Sequence, residues 1–210
     1  MSSIIDISQT LAKGIAVWPG DTSFTNFWVM QMNQGHSCNV GSVTMSLHTG
    51  THADAPLHFL SSGKSASEAS LGAYIGEALV VDLTSNGETV TVVTADDVAA
   101  IGEVKAERIL FKTSSAQSEK WNPEFAYFDA GAANALVTRG IRLVGIDTPS
   151  VDKSDSTTLD SHKIFARADI AILENLSLRH VNGGSYELIA LPLKFAGMDA
   201  SPVRAILRTP

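Results

Sequence analysis

Cysteine is almost absent: Cys38 is the single one in 210 residues. No internal disulfide or thiolate zinc cluster can form, so any metal site must draw on His, Asp and Glu. Cys38 itself reads as a small apolar filler rather than a nucleophile. Long apolar runs are missing too. Hydrophobic residues make up 44% of the chain, but they come in short runs, below the roughly 18 that a membrane span needs. Basic clusters are lacking: 15 Lys and Arg face 22 Asp and Glu, giving a net charge of -7 and a pI near 5.3. That balance argues against nucleic acid or an anionic membrane as partner and leaves a small molecule. The opening MSSIIDISQTL has no basic stretch ahead of an apolar segment and cleavage site, so a cytoplasmic location is expected. Common catalytic templates fail as well. There is no G-x-S-x-G elbow and no G-x-G-x-x-G after a strand. Gly63-Lys64-Ser65 has His58 where a phosphate-binding loop needs its first glycine.

What is present fits one soluble α/β domain spanning residues 1–210, with no repeat, low-complexity tract or linker to divide it. Runs rich in β-branched residues at 4–8, 40–48, 78–84, 108–113, 143–148 and 170–176 predict strands, most of them apolar on both faces. Between them, 94–104 with Thr94 as cap and 123–140 ending at a glycine predict helices. Three polar stretches, 61–70, 113–124 and 150–161, read as surface loops and candidate lids.

The informative feature is histidine. Four of six fall beside acidic residues in two places: His48-Thr-Gly-Thr-His52-Ala-Asp54-Ala-Pro-Leu-His58, and His162 with Glu174 twelve residues later. Imidazole and carboxylate are the ligands zinc and similar ions accept, about 2.0–2.2 Å from the metal. On a helix His48 and His52 would be a turn apart, but Asp54 would point away and Thr-Gly-Thr is a poor helix interior. On a straight strand the two histidines would stand roughly 13 Å apart, too far to chelate together. A bend at Gly50 resolves the conflict, because glycine reaches backbone angles closed to other residues. His162 and Glu174 read equally well as a loop histidine with a strand-end acid or as a metal pair. His36 and His180 lack partners at useful spacing and read as ordinary. On residues and spacing alone, the chain is a metal-dependent enzyme of hydrolase type.

The segment His48-Thr49-Gly50-Thr51-His52-Ala53-Asp54-Ala55-Pro56-Leu57-His58-Phe59 resembles the signature of the bacterial cyclase-like metal-dependent hydrolases. Trp18-Pro19-Gly20-Asp21 and Asp199-Ala200-Ser201-Pro202-Val203-Arg204 favour their formamidase branch. The resemblance implies a homodimer of swivelling β/β/α fold with a β-barrel-like core and two divalent ions per subunit, usually zinc. Carried over by position, His48, His52 and Asp54 would hold one ion and Asp54, His162 and Glu174 the other. His58 would be the acid/base, and Trp18 would line the substrate pocket. The implied activity is hydrolysis of a linear amide, N-formyl-L-kynurenine, to L-kynurenine and formate in tryptophan degradation. Hydroxide generated at the metal would attack the formyl carbon. The alternatives are a cyclic amide of the isatin type as substrate, or a non-catalytic domain braced by its ions.

Overall fold

The computed structural model describes residues 3–84, 90–114 and 120–209. Thirteen strands and three helices follow in chain order: β1 (Ile4–Asp6), β2 (Thr25–Met30), β3 (Val40–Thr44), β4 (His52–Asp54), β5 (Ile75–Asp82), β6 (Val92–Val93), α1 (Ala95–Ala100), β7 (Arg108–Lys112), β8 (Tyr127–Phe128), α2 (Ala130–Thr138), β9 (Leu143–Ile146), α3 (Asp160–Arg167), β10 (Ala171–Glu174), β11 (Gly184–Ile189), β12 (Ala200–Pro202) and β13 (Ile206–Arg208). Nine of the strands form one curled sheet in the order β1-β13-β11-β5-β7-β9-β10-β4-β12. Its centre, β5-β7-β9-β10, is parallel. Antiparallel strands extend it on both sides.

The apolar runs of β7, β9 and β10 are continuous because both faces of the sheet are covered. Ile109 and Phe111 of β7 pack with Leu136 of α2 and Phe165 of α3, whereas Leu110 between them points the other way. There it joins Leu143, Leu173, Leu176 and Leu188 on the inner side of the curl. Gly145 of β9 makes that inner packing possible: a Cβ there would meet Leu110 Cδ2 at 2.5 Å and Leu176 Cδ1 at 2.7 Å.

The expected strands at 4–8, 40–48, 108–113, 143–148 and 170–176 contain observed ones with trimmed ends, and the one at 78–84 overlaps β5, which begins earlier, at Ile75. Helix α1 starts as expected, Thr94 and Asp97 forming a reciprocal cap in which Asp97 Oδ2 accepts from the Thr94 amide at 2.8 Å. The expected helix over 123–140 is shorter. Tyr127 and Phe128 pair as β8, and Asp129 caps α2 by accepting from the Ala132 amide at 2.7 Å. Two polar stretches are not simple surface loops. In 150–161 Ser150, Val151, Asp152 and Ser161 are buried, and in 61–70 Ser65 and Ala66 are buried. Short polar side chains entered the interior because each found a hydrogen-bond partner, such as Ser161 Oγ donating to the Phe128 carbonyl at 2.9 Å. Within 113–124, residues 115–119 lie outside the described residues. Strands β2 and β3 form a separate hairpin, on which Phe27 and Trp28 are more than half exposed. Cys38 is exposed close to it and is not a core filler.

Candidate metal centre

Residues Gly50 and Thr51 turn the chain between β3 and β4. Gly50 adopts φ +66° and has no room for a Cβ, which would meet Leu11 Cδ2 at 2.6 Å. The bend inferred at this glycine is therefore real, and it leaves His48 on the turn while His52 and Asp54 share one face of β4. Strand β4 runs antiparallel to β10, with His52 directly opposite Glu174. The sheet register thereby brings together two ligand types that stand far apart in the sequence.

His162 comes in from a third direction, on the first turn of α3. It is not on a loop. Ahead of it, Asp152 accepts from the Ser161 amide at 2.9 Å, the His162 amide at 3.1 Å and His162 Nδ1 at 2.6 Å. One carboxylate thus caps the helix and assigns the imidazole its tautomer, leaving Nε2 to face Asp54 Oδ2 at 3.2 Å and Glu174 Oε1 at 3.5 Å. Asp152 went unnoticed in the sequence, since a lone Asp in a polar stretch signals only a turn. His52 is set the same way: Nδ1 donates to the Gly50 carbonyl at 2.8 Å, so Nε2 faces Asp54 Oδ1 and Glu174 Oε2, each at 3.3 Å. Glu174 is aimed by the Val151 amide, which donates to Oε1 at 2.8 Å.

His48 completes the inner group, with Nδ1 3.1 Å from Asp54 Oδ1 and Nε2 3.0 Å from Asp199 Oδ2. His58 stands at the rim. Its Nδ1 is 3.5 Å from the same Asp199 oxygen, and its ring centre is 4.2 Å from that of His48. All five residues expected as ligands converge on one small region, with Asp54 central. His58 and Asp199 form its outer edge.

The electrostatics favour a cation. Burial disfavours protonated His52, but the carboxylates of Asp54 and Glu174 outweigh it and raise its pKa to about 10. Burial also opposes the charge on His162, and Asp152, Asp54 and Glu174 again reverse the sign. Burial pushes the Asp54 carboxyl up, while His162, His48 and His52 pull it well below the usual carboxylate range. Two atoms at the centre, His52 Nε2 and Asp54 Oδ1, are buried without a hydrogen-bond partner among the described residues. Such atoms cost free energy unless something else satisfies them. A divalent ion would do so, and the donor set of imidazole nitrogen and carboxylate oxygen suits one. Ligand atoms of His52, Asp54 and Glu174, and separately of His48, Asp54 and His58, lie within 4.8 Å of one another. The residues present fit a metal.

A cleft of about 950 Å³ opens beside the cluster, reaching His48 and lined by Trp18, Trp121, Phe125 and Arg179. Trp18 stands edge-on to Trp121 and Phe125, at centroid distances of 4.6 and 6.0 Å. Trp121 and Phe125 lay outside the sequence reading because isolated aromatics near a polar stretch carry no distinctive spacing. Of the three expected lids, described parts of 113–124 border the cleft. Asp152 of 150–161 instead lies behind His162. His36 and His180 stand apart from the site, held to the backbone oxygens of Gln31 and Asp6.

Comparison with known proteins places this arrangement among relatives. A kynurenine formamidase from Salinibacter ruber is 42% identical over 209 residues, covering 98% of this chain and 97% of its own. A solved structure of a potential metal-dependent hydrolase with cyclase activity superposes with TM-score 0.86 at 28% identity, covering 100% of this chain and 99% of its own. Isatin hydrolase A from Labrenzia aggregata, bound to benzyl benzoate, has the same fold: TM-score 0.86 at 24% identity, covering 99% and 94%. The profile of the family described as "Putative cyclase" matches residues 5–153, the segment that contains His48, His52, Asp54 and His58. The chain belongs to the cyclase family.

Proposed function

We propose that the protein is a metal-dependent arylformamidase that hydrolyses N-formyl-L-kynurenine to L-kynurenine and formate. The observation that carries this reading is the convergence of His48, His52, Asp54, His162 and Glu174 beside an aromatic-walled cleft, in a chain 42% identical to a kynurenine formamidase over nearly its whole length. His48, His52 and Asp54 would hold one divalent ion, and Asp54, His162 and Glu174 a second, with zinc the expected metal. When bound, such ions supply Lewis acidity and a water acidified toward neutral pH.

The chain's own residues account for the rest. Trp18, Trp121 and Phe125 offer ring faces and edges to an aryl substrate and keep bulk water from that side of the cleft. His58 stands at the rim, its imidazole beside the Asp199 carboxylate. From there it can hold a proton and pass it to the departing arylamine nitrogen, which would otherwise leave as a poor amide anion. Asp152 and Gly50 keep His162 and His52 in the tautomers that point Nε2 inward.

The exposed hairpin supports a homodimer, since Phe27, Trp28, Val29 and Val43 are each more than half exposed and a second copy packed on the hairpin would cover apolar surface. No helix among the described residues is long and apolar enough to cross a membrane. The net charge of -7 suits an enzyme acting on a small molecule, and a cytoplasmic location is part of the proposal.

The test is metal removal. Chelator-treated protein should lose kynurenine release from N-formyl-L-kynurenine and regain it with zinc, with two zinc ions bound per chain. Protein that binds two ions yet leaves this substrate intact would refute the assignment. The zinc form should sediment as a dimer, and a monomer at micromolar concentration would remove that part of the proposal.

A further inference from the structure

The aromatic wall and the metal cluster account for one half of an N-formylkynurenine molecule; its amino-acid end is charged and needs its own partners. Three cations line the cleft: Lys13, Lys120 and Arg179. Arg179 differs from the other two in how it is held. It follows Glu174 by five residues, so its Cα stays within about 18 Å of the Glu174 Cα even if the chain between them were fully extended. That connection is stapled: the Asn175 amide donates to the Thr148 carbonyl at 2.8 Å, Thr51 Oγ1 to the Asn175 carbonyl at 2.6 Å, and the Ser177 amide to the Ile7 carbonyl at 2.8 Å. Leu176 and Leu178 are buried between these bonds. The chain position of Arg179 is thus fixed relative to the same strand end that presents Glu174.

Its side chain is exposed, and among the described residues no carboxylate lies within ion-pairing distance of its guanidinium. Two acids line the same cleft, Glu124 and Asp147, and neither is ion-paired with Arg179; Asp147 is engaged elsewhere, accepting from Thr113 Oγ1 at 2.6 Å, the Thr113 amide at 3.0 Å and the Ser114 amide at 3.2 Å. A planar guanidinium with no carboxylate partner among the described residues, on a turn at the edge of an aromatic cleft, matches the bidentate geometry of a carboxylate. We propose that Arg179 binds the α-carboxylate of the substrate and makes the site selective for formamides that carry an amino-acid side chain. This rests on the formamidase reading and names the group that would recognise its substrate class.

The experiment compares two substrates on the zinc-loaded enzyme: N-formyl-L-kynurenine, and its decarboxylated counterpart, which keeps the ring, ketone and amine but lacks the carboxylate. Arg179→Met should raise KM for the first about 10- to 100-fold with kcat within about twofold of wild type, and leave both constants for the second unchanged. Arg179→Lys should recover part of the loss, keeping the charge without the fork. Because Arg179 is exposed, the melting temperature should stay put in both variants. Equal effects of Arg179→Met on the two substrates would overturn the proposal while the formamidase assignment stands. So would a selective KM effect in Lys13→Met or Lys120→Met with none at Arg179. If wild type releases formate from neither substrate, the formamidase reading itself fails and the proposal with it.

Discussion

Asp54→Asn is expected to lower kcat/KM by about 10⁴-fold, about 5 kcal/mol of barrier, and to leave the protein without tightly held metal. Asp54 is the residue on which the cluster is centred: Oδ1 lies 3.1 Å from His48 Nδ1 and 3.3 Å from His52 Nε2, and Oδ2 lies 3.2 Å from His162 Nε2. Asparagine keeps the shape, removes the charge, and turns an N–H₂ toward at least one imidazole nitrogen that should face a cation. The metal-free proteins give a second readout. The depressed carboxylates Asp54 and Glu174 contribute stability that is complete above their ordinary values of 3.8 and 4.5 and is lost as pH falls below them. His52, raised to about 10, contributes stability complete below its ordinary 6.5 and lost as pH rises toward 10. Metal-free wild type should therefore melt highest between about pH 5 and 6.5, and Asp54→Asn should flatten that maximum. Metal content by mass spectrometry and melting curves across pH check both. A variant that keeps two ions and wild-type turnover would take Asp54 out of the centre.

His58→Ala separates two roles that the geometry brings close together. The expected result is a fall in kcat of about 10²- to 10⁴-fold, the usual range for a positioned acid/base, with both ions retained. His58 sits on the short turn Pro56–His58, partly exposed, and its nearest charged neighbours are Asp199 and His48 rather than Glu174 or His162. That position suits a group exchanging protons with substrate and solvent. Its ligand atom also lies within 4.8 Å of those of His48 and Asp54, so coordination is the competing role. Metal content decides between them. Loss of one ion per chain together with turnover would make His58 a ligand and leave the leaving-group proton to another residue.

The histidine-rich signature was legible because ligand chemistry restricts residue type and because Gly50 marks where the chain has to bend. The parallel strands were legible for a different reason: burial on both faces leaves an unbroken apolar run such as Ile109–Phe111 in β7. The pairing of β4 with β10 could not be read, since the register that sets His52 opposite Glu174 depends on how the whole sheet curls. Helix α3 was hidden because its start, Asp160-Ser161-His162-Lys163, is polar and takes its cap from Asp152, eight residues before the helix begins. Strand β2 escaped notice because TNFWVM is exposed along nearly its whole length and shows no alternation, although its partner β3 lies within an expected strand. Trp121 and Phe125 join the cleft through packing with Trp18 and with each other.

Strand β4 lies between β10 and β12, so residues 52–54 are flanked on one side by 171–174 and on the other by 200–202. A ribosome delivers the signature histidines long before either flanking strand exists. During synthesis that segment has no sheet to enter, and its buried acids and imidazoles must wait in water. Contacts of such long sequence separation form late and slowly. The centre is thus among the last parts of the protein to assemble, and a metal would find its full ligand set only after β4 has paired with β10 and β12.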